Sequence, residues 1–145
     1  MNASIQKTGN NMRVLPDTNA CSILWRHGSQ VEHALNQADF VYISTIVIGE
    51  LFAGFKRGNQ EAKNKKLFAS FIQSPTISII PVSQDTAEIY AQIKYGLGKL
   101  GKPIPSNDLW IAAHAMETGS VLVTYDRHFL KIPGLRLWDE LTNKN

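Results

Sequence analysis

Twelve acidic residues occur in the 145-residue chain, and four of them stand at positions that their neighbours make peculiar. Asp17 closes the short run RVLPD, and Asp126 closes SVLVTYD. Asp108 opens the apolar stretch LWIAAHAM, while Glu50 interrupts VYISTIVIGELFAGF, which is otherwise apolar, small or hydroxyl-bearing. A desolvated carboxylate is costly unless it is paired, hydrogen-bonded or bound to a metal, and no basic residue lies in that run to pair with Glu50. Four carboxylates brought together repel one another and raise the pKa of some of their number; a divalent cation among them reverses that sign. Oxygen donors of this kind suit Mg²⁺ or Mn²⁺, and the lack of a Cys or His cluster argues against zinc. On a phosphodiester such a cation binds the phosphate, generates hydroxide from a water and stabilises the leaving oxygen, which is nuclease chemistry.

Taken singly, most of these acids have plainer explanations. Asp17 could start a turn or cap the following helix, Asp108 suits a helix N-cap or first turn, and Asp126 could be a loop residue. Glu50 resists such an account, and the joint placement of all four outweighs any one position. Around them, Thr18 and Asn19 could orient Asp17. Thr124, two residues before Asp126 and so on the same strand face, could hydrogen-bond a metal-held water. His114 lies on an apolar helix and reads as a satisfied core residue. His128 has no companion at ligand spacing. The lone Cys21 can form no internal disulfide and no thiolate metal site, in keeping with a reducing cytosol.

The elements that must position these groups alternate along the chain. Strands are expected at 13 to 17, 40 to 44, 76 to 82 and SVLVTYD, with LRLW as a short fifth. Between the first two, DTNACSILWRHGSQVEHALNQAD reads as one or two helical segments broken near Gly28. A helix over 45 to 55, capped by Ser44 or Thr45, leads into a basic helix over 59 to 73. Ser83 or Asp85 caps a helix running to about Gly98, with an apolar stripe of Ala87, Ile89, Tyr90, Ile93 and Leu97. SNDLWIAAHAMETG has a polar opening, an apolar body and a closing Gly119, the pattern of a buried helix with a cap at each end. Strands alternating with helices predict a mostly parallel, five-stranded sheet covered on both faces, an α/β/α sandwich. Ligands of such sheets bind beyond the carboxyl ends of the strands, where Asp17 and Asp126 fall.

At 43% hydrophobic the chain can bury one substantial core, so a single domain is expected over 12–145 behind a polar leader over 1–11. The absence of an apolar stretch of about 18 residues or of a signal-like start implies a soluble cytoplasmic protein that does not enter a membrane. The formal charge of +3 permits a polyanionic partner without demanding one. Basic residues gather at Lys56, Arg57, Lys63, Lys65 and Lys66, and again at Lys94, Lys99 and Lys102. A solvated helix face accounts for such runs; if a polyanion enters an acidic crevice, the first group and Arg127 are the residues expected to hold it.

The blocks LPDTNACSIL, YISTIVIGELFAGF and PSNDLWIAAHAMETGSVLVTYDRHFLKIPGLRLWDEL resemble the PIN-domain ribonucleases of the VapC toxin kind, over most of the chain from Val14 to Leu141. The resemblance implies a Rossmann-like fold and Mg²⁺- or Mn²⁺-dependent endonucleolytic cleavage of RNA by a metal-activated water. It carries the family's metal-binding acids over to Asp17, Glu50, Asp108 and Asp126, and its supporting polar residues to Thr124 and Asn19. It also implies a homodimer and a cognate antitoxin through which operator DNA is contacted indirectly. Pro16, standing where an aliphatic strand residue is usual, and the long leader depart from the family pattern without touching a ligand. An aspartyl phosphatase would want a second acid where Asn19 stands. A catalytically silent PIN module should have lost acids that this chain keeps. An RNA-processing nuclease without antitoxin is the remaining alternative, one that larger size or added RNA-binding domains would favour.

Overall fold

The computed structural model describes residues 11–24 and 29–138. The expected leader, apart from Asn11, and the helix break near Gly28 lie outside them. Four strands form one parallel sheet: β1 (Arg13–Pro16), β2 (Phe40–Ser44), β3 (Ile77–Ile80) and β4 (Val121–Val123), in the order β3-β2-β1-β4. Parallel neighbours need long crossovers, and each crossover here is a helix pair. These are α1 (Thr18–Leu24) with α2 (Gln30–Gln37), α3 (Thr45–Arg57) with α4 (Glu61–Phe71), and α5 (Gln84–Lys99) with α6 (Ser106–Thr118). Val14, Leu15 and Pro16 are all buried; since successive residues of a strand face opposite ways, β1 is covered on both sides. No helix among the described residues is long and apolar enough to cross a membrane.

The sheet has four strands where five were expected. LRLW, expected as the fifth strand, lies against β4, but only Leu137 bridges to Leu122, flanked by Leu122 N–H donating to Arg136 O at 2.8 Å and Trp138 N–H to Leu122 O at 2.9 Å. β4 is three residues long and leaves a short edge to pair with, and Gly134, at φ +82°, turns the chain immediately before. Pro16 has a comparable effect inside the sheet. It has no N–H, and pairing between β1 and β2 is confined to Arg13 and Val14. The β1–β4 contact instead continues one residue further, through Asp17 N–H to Val123 O at 3.1 Å.

Helix α3 starts where the strand stops because Ser44 caps it, accepting from Ile46 N–H at 3.0 Å. Phe52 of α3 meets Phe68 of α4 edge to face at 5.5 Å, which seats the basic helix. Helix α5 opens on a capping box between Ser83 and Thr86, and its stripe buries Ile93 and Leu97 while Ala87 stays exposed. In α6, Leu109 and the run from Ile111 to Ala115 are buried, and Gly119 ends the helix at φ +67°. The expected polar N-cap of α6 is absent. Pro105 occupies that position without a side-chain hydrogen bond, which leaves Ser106, Asn107 and Asp108 free to point elsewhere. At the far end two arginines grip the helix: Arg13 donates to Thr118 O at 3.0 Å and Arg136 to Gly119 O at 2.6 Å.

Candidate active site

The strand order places β2 and β3 on one side of β1 and β4 on the other, so the chain reverses direction across the sheet between β1 and β4. A crevice opens beyond the carboxyl ends at such a switch point. Asp17 follows β1 directly and Asp126 follows β4. Asp108 is the third residue of α6, and Glu50 lies in the middle of α3.

Asp17 is 5% exposed, and two donors hold it: Ala20 N–H at 2.9 Å to Oδ1 and the buried Thr124 hydroxyl to Oδ2. Burial pushes its carboxyl up to about 6; the two hydrogen bonds oppose the rise, and Asp108 and Asp126 add to it. Thr124 has a second task, since its oxygen accepts from Asp126 N–H at 2.9 Å. Asp126 in turn caps a 3-10 helix (Arg127–Lys131) by accepting from His128 N–H at 3.0 Å. The imidazole of His128 lies between two of the acids: Nδ1 is 3.0 Å from Asp126 Oδ1 and Nε2 is 3.0 Å from Asp108 Oδ2. Burial raises the Asp108 carboxyl from its ordinary value; His128 works against this, and Glu50 and Asp126 with it. Glu50 is half-buried and takes its compensation from neutral donors, the Thr18 hydroxyl to Oε1 and Asn107 Nδ2 to Oε2 at 3.1 Å.

The four acids are thus joined in sequence. Thr124 links Asp17 to Asp126, His128 links Asp126 to Asp108, Asn107 beside Asp108 reaches Glu50, and Thr18 beside Asp17 reaches it from the other side. Thr18 therefore serves Glu50, where the sequence suggested Asp17. Asn19 is exposed on the first turn of α1, and the hydrogen bonds found on the Asp17 carboxylate come from Ala20 and Thr124. The sequence set His128 aside for want of a companion at ligand spacing, which Asp108 and Asp126 supply in the fold, and it gave Asn107 no role. Their place beside Asp126 and Asp108 was the available signal, and it is weak without knowledge of which strand ends and helix starts share an edge. Ligand atoms of Asp108, Asp126 and His128 lie within 4.8 Å of one another, the spacing of a group that can hold a cation. His128 Nε2 is buried, with Asp108 Oδ2 as its ion-pair neighbour at 3.0 Å. A crowded set of carboxylates, with Asp17 and Asp108 raised in pKa, beside an imidazole fits a divalent ion.

Elsewhere, His114 is a core residue, with Ser44 Oγ at 2.8 Å and Pro81 O at 3.2 Å; burial lowers its pKa. Burial likewise raises the Cys21 thiol. Of the basic residues, Lys56 and Lys65 both pair with Glu61, at 3.0 and 3.8 Å, while Arg57, Lys63, Lys66 and Arg127 are exposed.

The sequence pattern of the PIN domain family matches residues 14–135. Ribonuclease VapC2 of Haemophilus influenzae is 29% identical over 128 residues, covering 86% of this chain and 96% of that protein. The tRNA(fMet)-specific endonuclease VapC of Salmonella typhimurium is 28% identical over 133 residues, covering 88% and 98%. Among solved structures, the Rickettsia felis VapBC2 complex bound to a DNA fragment from its promoter superposes with a TM-score of 0.78 at 27% identity, over 88% of this chain and 98% of that one.

Proposed function

Since the chain belongs to the PIN domain family, we propose that it is a metal-dependent endoribonuclease and the toxin of a type II toxin–antitoxin pair. The observation that carries this is the joining of four acids into one ring of contacts at the β1/β4 switch point, with a donor set suited to a hard dication. Asp17, Glu50, Asp108 and Asp126 would hold Mg²⁺ or Mn²⁺, on a three-layer α/β/α frame. When bound, such an ion would supply charge neutralisation at the scissile phosphate, a lowered pKa for an attacking water and stabilisation of the leaving oxygen. The chain's own part is positional. Thr124 and Ala20 fix both oxygens of Asp17, where burial keeps the geometry from relaxing into water, and Thr18 and Asn107 fix those of the half-buried Glu50.

RNA would approach across Lys56, Arg57, Lys63, Lys65, Lys66 and Arg127. A homodimer in the cytoplasm, silenced by a cognate antitoxin that alone touches operator DNA, completes the proposal; the solved relative bound to promoter DNA is a VapBC complex. To test it, wild type, Asp17→Asn, Glu50→Gln, Asp108→Asn and Asp126→Asn are incubated with tRNA and rRNA in Mg²⁺ or EDTA, and the RNA ends are sequenced. Wild type cleaves at defined positions only with metal, and each variant stays folded by circular dichroism yet inert. Cleavage in EDTA, or a variant cutting at the wild-type rate, overturns the assignment.

A further inference from the structure

We infer that His128 Nε2 is itself a ligand of this metal centre, giving it a mixed nitrogen–oxygen donor set that favours Mn²⁺ over Mg²⁺. The inference rests on the proposed metal site and adds a donor that its four acids do not include. Three features of the ring carry it. First, Nδ1 faces Asp126 Oδ1 at 3.0 Å. Ligand histidines commonly turn their other N–H to a carboxylate, which fixes the tautomer and leaves the far nitrogen with its lone pair. Second, that far nitrogen is buried and meets Asp108 Oδ2 at 3.0 Å, so that it converges with Asp108 and Asp126 on a spacing that can hold a cation. Third, two ligands side by side on an octahedral ion at about 2.1 Å are about 3.0 Å apart, so Nε2 and Asp108 Oδ2 already span one edge of such a shell.

The ring is also held from behind. Its backbone N–H donates to Asp126 at 3.0 Å, and the buried Phe129 ring packs against it at 4.6 Å between centroids. Asp126 can meet His128 with Oδ1 and turn Oδ2 to the ion, so orientation of the ring does not cost a carboxylate donor. Mg²⁺ takes oxygen ligands and gives up its waters reluctantly, whereas first-row transition ions accept imidazole. A nitrogen at this position therefore tilts the site towards Mn²⁺. The competing role, a base that bridges two acids in the metal-free chain and withdraws when an ion binds, predicts no nitrogen on the metal.

The test uses the full chain, loaded with Mn²⁺ alone, and reads ¹⁴N hyperfine coupling by pulsed electron paramagnetic resonance. Wild type shows coupling to one directly bound nitrogen, and His128→Ala loses it. By calorimetry His128→Ala weakens Mn²⁺ binding by about tenfold or more and leaves Mg²⁺ within about threefold. His128→Asp, which restores an all-oxygen set, narrows the gap between the two ions. Absence of coupling in a Mn²⁺-loaded wild type that still cleaves RNA overturns the role of His128 and leaves the nuclease assignment standing. Equal weakening for both ions, or tighter binding in His128→Ala, also overturns it. Failure of Mn²⁺ to bind at all removes both.

Discussion

At the scale of single residues, the cost of the site is concentrated where water is excluded. The Asp17 carboxyl moves from an ordinary 3.8 to about 6, burial being the chief cause. Between those values the folded chain keeps a proton that the unfolded chain has released, so metal-free stability falls as pH rises through that window and is level above it. The shift corresponds to about 3 kcal/mol. Asp17→Asn should therefore raise stability in EDTA at pH 7 by up to about 3 kcal/mol, change it little near pH 4, and abolish cleavage; urea melts at the two pH values measure the first part. Thr124 tests the link between two acids. Thr124→Val leaves Asp126 N–H and an oxygen of Asp17 without their partner, at a cost of about 1 to 3 kcal/mol, and should cut cleavage steeply, while Thr124→Ser keeps both contacts and most of the activity. The acids themselves were legible in the sequence, because each is a charge at an apolar boundary. Their partners were not. Thr18 and Asn107 stand 32 and 57 residues from Glu50 along the chain, and neither type nor spacing marks a polar residue whose acceptor arrives from another element.

At the scale of elements, periodicity and caps predicted what local physics decides. Ser44, Ser83 and Gly119 stop or start helices where their side chains or backbone freedom require. What escaped was decided by tertiary contact. LRLW reads as a strand, yet its pairing ends after one bridge because β4 offers so little edge. SND reads as a cap, yet Pro105 takes that position and releases Asn107 to Glu50. Gly119 gives a clean test, since a Cβ there meets no atom within 4 Å and only the left-handed backbone resists it. Gly119→Ala should cost about 1 to 2 kcal/mol, seen as a lower urea midpoint with an unchanged slope. A changed slope would mean that the helix end had reorganised.

At the scale of the whole molecule, a nuclease with an acidic crevice would have to recruit a polyanion that the crevice repels, and the basic surface of α4 is the proposed counterweight. Lys65 is only partly available, being paired with Glu61 and lying 5.0 Å over the Phe52 ring, whereas Lys63 and Lys66 are exposed. Replacing Lys63, Lys65 and Lys66 by Ala should weaken RNA binding and flatten its log–log salt slope by up to about 2; an unchanged slope would return them to ordinary solvated positions. The opposite end of the fold matters in a less obvious way. Asn107 and Asp108 stand at the front of α6, at the proposed metal site, and the guanidinium clasps of Arg13 and Arg136 hold its last carbonyls about 15 Å behind them. The helix resembles a gun barrel bolted at the breech. Loosening the bolts touches no reacting group, but it spoils the aim of a carboxylate that must hit its mark to within a fraction of an ångström.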